Sequence, residues 1–206
     1  MLAFFLIFLT GQIVTGWSEY NHSQAAHGDP PVLLHSYFST GHMWEATFEN
    51  WESEFLQMTA FVVLTTVLVQ RGSPESRRPG VIEAVDADPR RFQSAPNVPW
   101  PVRRGGLVLL LYEHSLGLTL VVLFLGSWVG HALGGYAEYG HDERAHGRDA
   151  GSFSAYVTSS RFWFESFQNW QSEFLAIAAM VWLSVYLRQR GSPESKPVHA
   201  AHDEND

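Results

Sequence analysis

The side chains best placed for chemistry in this 206-residue chain are carboxylates, amides and hydroxyls set at helical spacing where the sequence turns apolar. Asn50, Ser53 and Glu54 cluster on one side of a helix at 100° per residue, just ahead of the apolar run Phe55–Val69. Asn169, Ser172 and Glu173 do the same ahead of Phe174–Leu187. A carboxylate about one turn inside a bilayer is costly, so it faces protein or water and is suited to hold a proton or cation. These six residues form the candidate polar intramembrane site. The competing reading is structural, because polar side chains also glue membrane helices together or tie down the adjoining loop. The flanking charges Glu49 and Glu52 correspond to Gln168 and Gln171, so they read as peripheral.

A second set combines imidazole with carboxylate: Glu19, His22 and His27, echoed by Glu138, His141 and His146. Such donors suit zinc or another divalent metal. Two histidines five apart in a loop fix no ligand geometry, and the stronger reading is that His27 and His146 close turns or bond Glu54 or Glu173. Bis-histidine haem would need two facing imidazoles. His114 and His131 do not supply them, since His131 corresponds to Gln12 and His114 sits at a span boundary; both read as interfacial or helix-packing residues. No cofactor is expected, with a divalent metal the minor alternative. The chain has no cysteine, which removes disulfides, thiolate metal sites and cysteine nucleophiles. It has no Walker loop, dinucleotide fingerprint, Gly-x-Ser-x-Gly or His-Glu-x-x-His, so the balance leans away from an enzyme. A net charge of −8 spread through loops and tail gives no nucleic-acid footprint.

The elements that position these residues follow from an internal repeat. Residues 1–76 align with 120–195 at a constant offset of 119, and 18 of the 29 pairs between 48–76 and 167–195 are identical. Each unit holds two apolar spans, about 1–17 and 48–70, then about 115–135 and 167–189. Residues 77–106 read as a cytoplasmic linker, residues 107–195 as the second repeat, and 196–206 as a disordered tail. The fold is expected to be all-α, with four transmembrane helices from two tandem hairpins in parallel orientation. The first span has no basic leader and aligns with a mid-chain segment, so it is expected to be retained rather than cleaved. Leu107–Thr119 has no counterpart ahead of Met1, which suggests a shortened or clipped first helix.

Seven Arg fall in 70–106 and three basic residues follow Leu187, against none in 18–47 and three in 135–166. That bias puts both termini and the linker in the cytoplasm. Trp44, Trp51, Trp163, Trp170, Arg71 and Arg190 read as interfacial anchors. Ser39 or Thr40, and Ser159 or Ser160, are expected to cap the helices that follow. Arg71–Ser76 and Arg190–Ser195 repeat Arg-Gly-Ser-Pro-Glu-Ser and read as helix stops. In span 3, Gly126, Gly130, Gly134 and Gly135 predict close helix packing.

The segment Gly41–Gln57 (GHMWEATFENWESEFLQ), its partner Ser160–Phe174 (SRFWFESFQNWQSEF) and both RGSPES blocks resemble the signature of a small bacterial membrane-protein family, a domain of unknown function. The resemblance covers nearly the whole chain. It implies a multi-pass, two-repeat protein of the bacterial inner membrane and transfers no functional residues. The expected role is a non-enzymatic scaffold or accessory subunit, in contact with the lipid bilayer and with a second copy or a partner membrane protein. The alternative is a cation or proton pathway through Glu54 and Glu173.

Overall fold

The computed structural model describes residues 1–68 and 84–200; Arg71, the first RGSPES block and the last residues of the tail lie outside the described residues. Among the described residues all regular structure is helical: α1 (Leu2–His27), α2 (Leu34–Tyr37), α3 (Gly41–Val67), α4 (Trp100–Arg104), α5 (Gly106–Glu113), α6 (Ser115–Ala145), α7 (Phe153–Val157) and α8 (Ser160–Tyr186), with 3₁₀ turns at Ala84–Asp86 and Pro89–Phe92. The first residues of α3 and α8 are 119 apart, and so are their last. Two helices, α1 with 26 residues and α6 with 31, are long and apolar enough to cross a membrane.

Local sequence explains where the long helices begin and end. Thr40 Oγ1 accepts the Met43 N–H and Ser159 Oγ accepts the Phe162 N–H, both at 3.3 Å, so two of the expected hydroxyls cap α3 and α8. The polar stretch after Trp17 was expected to be loop, but α1 continues to His27. Nothing between Ser18 and His27 breaks a helix, and the stop comes at Gly28, whose φ of 82° lets its N–H and that of Asp29 close on Ala25 and Gln24 carbonyls. Likewise α6 runs past 135 to Ala145. At the other end, α8 stops at Tyr186, before the Arg-Gly block. Arg188 Nη1 covers the freed carbonyls of Ser184, Val185 and Leu187 at 2.9–3.4 Å, and Ser195 Oγ brackets the N–H and carbonyl of Gln189. Lys196, expected to open a disordered tail, is buried. Leu107–Tyr112 lies within the short helix α5.

The chain divides into two compact units, Met1–Glu54 with Leu123–Gln171, and Phe55–Val122 with Ser172–Asp206. The first unit carries two aromatic-rich cores. Tyr20, Tyr37 and Met43 pack with Ile13, Trp17 and Val32, while Ala132, Tyr156 and Phe162 pack with Trp128, Tyr136, Tyr139 and Trp163. Here the span-3 glycines find their use. A Cβ on Gly134 would lie 2.6 Å from the Glu45 backbone nitrogen, one on Gly41 would meet the Glu138 backbone nitrogen, and one on Gly130 would strike the Phe48 ring. The start of α3 therefore lies directly on α6, backbone against backbone. Gly126 faces open space.

In the second unit α4 packs on α5, Val102 and Leu109 are buried, and Arg104 stacks over Trp100 at 5.5 Å. A shallow apolar groove of about 320 Å³ is lined by Gln57, Met58, Phe61, Ala176, Ile177 and Met180. Replacing Gly134 by Ala should destabilise the folded protein by about 1–3 kcal/mol through overpacking, whereas Gly126→Ala should leave it within about 0.5 kcal/mol. Thermal unfolding in detergent checks both.

Candidate functional site

Three helices of the first unit each contribute a stripe of polar residues. On α3, Glu45, Glu49 and Glu52 recur at i, i+4 and i+7, one residue round from the aromatic stripe Trp44, Phe48 and Trp51. On α6, Ser127, His131, Gly134 and Glu138 repeat the same spacing and all are buried. On α8, Glu165 and Asn169 are one turn apart. The stripes meet around His131, whose side chain has no exposed surface.

Glu52, also fully buried, uses both oxygens. Oε2 is 2.9 Å from His131 Nδ1, and Oε1 accepts from Trp170 Nε1 at 3.0 Å. Glu49 Oε1 accepts from Asn169 Nδ2 at 2.5 Å. Glu165 accepts from Arg161 Nε at 3.0 Å and from the Tyr156 hydroxyl at 3.4 Å, and its Oε2 stands 3.7 Å from His131 Nε2. Arg161 continues outward to Asp142 at 3.3 Å. Burial, with the Glu165 and Glu45 charges beside it, pushes the Tyr156 hydroxyl above the usual tyrosine range, so it remains a donor. Glu45 accepts no hydrogen bond among the described residues. Its carboxylate lies with Glu165 and His131 in a cluster whose donor atoms are all within 4.8 Å of one another. Three buried side-chain atoms have no hydrogen-bond partner among the described residues, Trp128 Nε1, Ser166 Oγ and His131 Nε2, and the last of these faces that cluster.

The residues singled out from sequence fall elsewhere. Glu54 is exposed, Asn50 bonds the Ala46 carbonyl and Ser53 the Asn50 carbonyl of its own helix. Of that set, only Asn169 joins the cluster. Ser172 and Glu173 belong to the second unit, where the Glu173 carbonyl accepts from Gln57. Among the histidine set, Glu19 and His22 are exposed. His27 and His146 each bond a carbonyl four residues back, at 2.9 and 2.8 Å, with their rings 5.4 Å apart. Glu138 accepts the His42 N–H, and His141 pairs with Gln24 at 2.8 Å. These six form no ligand group among the described residues; the group that does form is Glu45, His131 and Glu165. His42 is also held by Tyr37, whose hydroxyl, pushed up to about 12 by burial and then by the Glu138 charge, lies 2.8 Å from Nδ1. Of the expected anchors, Trp44 donates to the Phe38 carbonyl while Trp170 is drawn inward by Glu52.

Glu45, Glu49, Glu52 and Glu165 were missed because they have no charged counterpart 119 residues away. The i, i+4, i+7 ladder of three Glu leading into an apolar run was the available signal.

The whole chain, residues 1–206, matches one family, described as a domain of unknown function, DUF6766. The chain belongs to that family. No curated protein and no solved structure matches it. The family name carries no activity, so the chemistry of the cluster is the starting point for this member.

Removing the Glu52 carboxylate leaves a buried imidazole and indole unpaired, so Glu52→Ala should cost about 3–5 kcal/mol. In a double-mutant cycle, Glu52→Gln and Trp170→Phe should couple by about 0.5–3 kcal/mol, whereas Glu54→Gln and Trp170→Phe should add. Unfolding midpoints in detergent decide it.

Proposed function

We propose that this is a multi-pass membrane protein that binds and relays a proton or metal cation at the polar core around His131. The observation that carries the reading is a fully buried histidine, paired with a fully buried carboxylate, in the middle of a helix apolar enough to span a bilayer. Ionisable groups in such a setting are expensive and mark ion or proton sites by default. A purely structural pair would be satisfied by Glu52 alone, yet Glu45, Glu49, Glu165 and Arg161 also converge there.

The membrane arrangement proposed is four spans in two parallel hairpins of the bacterial inner membrane, with both termini cytoplasmic. Besides α1 and α6, the apolar ends of α3 and α8 expose Val63, Val67, Trp182 and Leu183, as lipid-facing segments would. The spans read from sequence put His131 and Glu52 each four residues inside an outer boundary, roughly 6 Å deep. On that reading both helices carry the core at one depth, in the outer leaflet. The exposed apolar faces also suit an accessory subunit, but lipid accounts for them equally well, and the polar core supports the cation reading.

The chain lacks cysteine, which makes single-cysteine labelling clean. A cysteine at Ser39 should react with an impermeant maleimide in intact cells, and one at Ser195 only after permeabilisation; the reverse pattern would invert the topology. In proteoliposomes, an imposed proton gradient should dissipate through the wild type. His131→Ala or Glu165→Gln should reduce that flux at least about tenfold, while the Glu54→Gln/Glu173→Gln double variant should conduct. Loss of flux only in the double variant would move the pathway to Glu54 and Glu173.

A further inference from the structure

The polar core leaves one buried ring nitrogen, His131 Nε2, without a hydrogen-bond partner among the described residues. His131 Nδ1 faces the Glu52 carboxylate at 2.9 Å, which fixes the proton on Nδ1 and leaves the lone pair on Nε2. That lone pair faces Glu165 Oε2 at 3.7 Å and the Glu45 carboxylate nearby, buried and with no hydrogen bond. A second proton on Nε2 would point at an acceptor beyond hydrogen-bond range. Three acceptors converging on one point repel each other unless a proton or a cation sits among them.

The charges agree. Glu45, Glu49, Glu52 and Glu165 surround the histidine, and among the described residues the cation in contact with any of them is Arg161, already shared between Glu165 and Asp142. A divalent ion would offset two of those charges without adding a donor of its own.

We propose that Glu45, His131 and Glu165 hold one divalent first-row transition-metal ion, zinc by preference, with Glu52 as the carboxylate that orients the imidazole. One imidazole and two carboxylates with no thiolate suit zinc, and manganese or iron(II) next. Tetrahedral coordination at about 2.1 Å brings donors to about 3.4 Å from one another, a closure that rotation of the two carboxylates supplies. Three protein ligands leave a fourth position for water. The Glu52–His131–metal order repeats the carboxylate–histidine arrangement that raises ligand basicity, and Trp170 holds Glu52 in turn. This inference rests on the reading of the polar core as a cation site and names the cation.

The test uses the full-length protein, carried on a tag without histidine, purified in mild detergent without chelator and loaded with zinc sulfate. Elemental analysis should find about one zinc per chain. Glu165→Gln and His131→Ala should hold less than about a tenth of that, while His114→Ala, an exposed histidine of the second unit, should hold the full load. Should His131→Ala fail to fold, Glu52→Gln serves: it keeps all three ligands and should lower zinc affinity about 10–100-fold against a competing chelator. Cobalt substitution should give visible absorbance of a four-coordinate site, lost in Glu165→Gln. Wild-type protein that binds no metal after loading overturns the inference, as does a folded Glu165→Gln that keeps its full equivalent. Proton flux on the same preparations separates the two readings. Flux without metal leaves the relay standing and removes this site; metal without flux does the reverse.

Discussion

The first unit depends on one contact, the 2.9 Å pair between Glu52 and His131, both without solvent exposure. Burying two ionisable groups costs several kcal/mol each, and their attraction compensates only if the remaining polar atoms are satisfied. That requirement reaches outward. Trp170 takes the second oxygen of Glu52, and Asn169 takes Glu49. Glu165 needs Arg161 and Tyr156, and Arg161 needs Asp142. The pair also demands proximity, which side chains of ordinary size on α6 would forbid. Gly134 and Gly130 provide it by letting α3 lie on the α6 backbone.

In the same unit, positions 119 residues apart play matching roles. Tyr37 and Tyr156, 119 residues apart and both buried, each aim a hydroxyl at a glycine of a long helix, Gly16 and Gly135 respectively. Gly28 and Gly147 adopt the same left-handed turn behind histidines bonded to their own helices. These pairs are packing and capping devices, and they account for much of what the two halves retain.

Helix positions were therefore legible in the sequence and the polar cluster was not. The stripe Trp44, Phe48, Trp51, the capping hydroxyls and the glycines of α6 announce helices, starts and a close crossing, because local chemistry fixes each one. The ends were less legible. The stretch after Trp17 is polar yet unbroken, so α1 runs on, and α8 stops at Tyr186, where Arg188 covers its last carbonyls, rather than at the glycine. Retention between repeats favoured Asn50, Ser53 and Glu54, which bond their own helix or face solvent. The cluster occupies positions where the halves diverged: Glu45, Glu49 and Glu52 stand opposite Phe164, Gln168 and Gln171, and His131 stands opposite Gln12. Symmetry keeps what both halves need to fold, and a site present once is invisible to a search for likeness. Only the meeting of three helices displays it.

His131 and Glu52 are 79 residues apart in the chain. Translation proceeds from the N-terminus at about 5–20 residues per second, so Glu52 emerges roughly 4–16 s before its partner exists. During that interval α3 carries Glu45, Glu49 and Glu52 with no imidazole to receive them. The cluster closes only when α6 arrives, which makes burial of one imidazole the timekeeper of assembly.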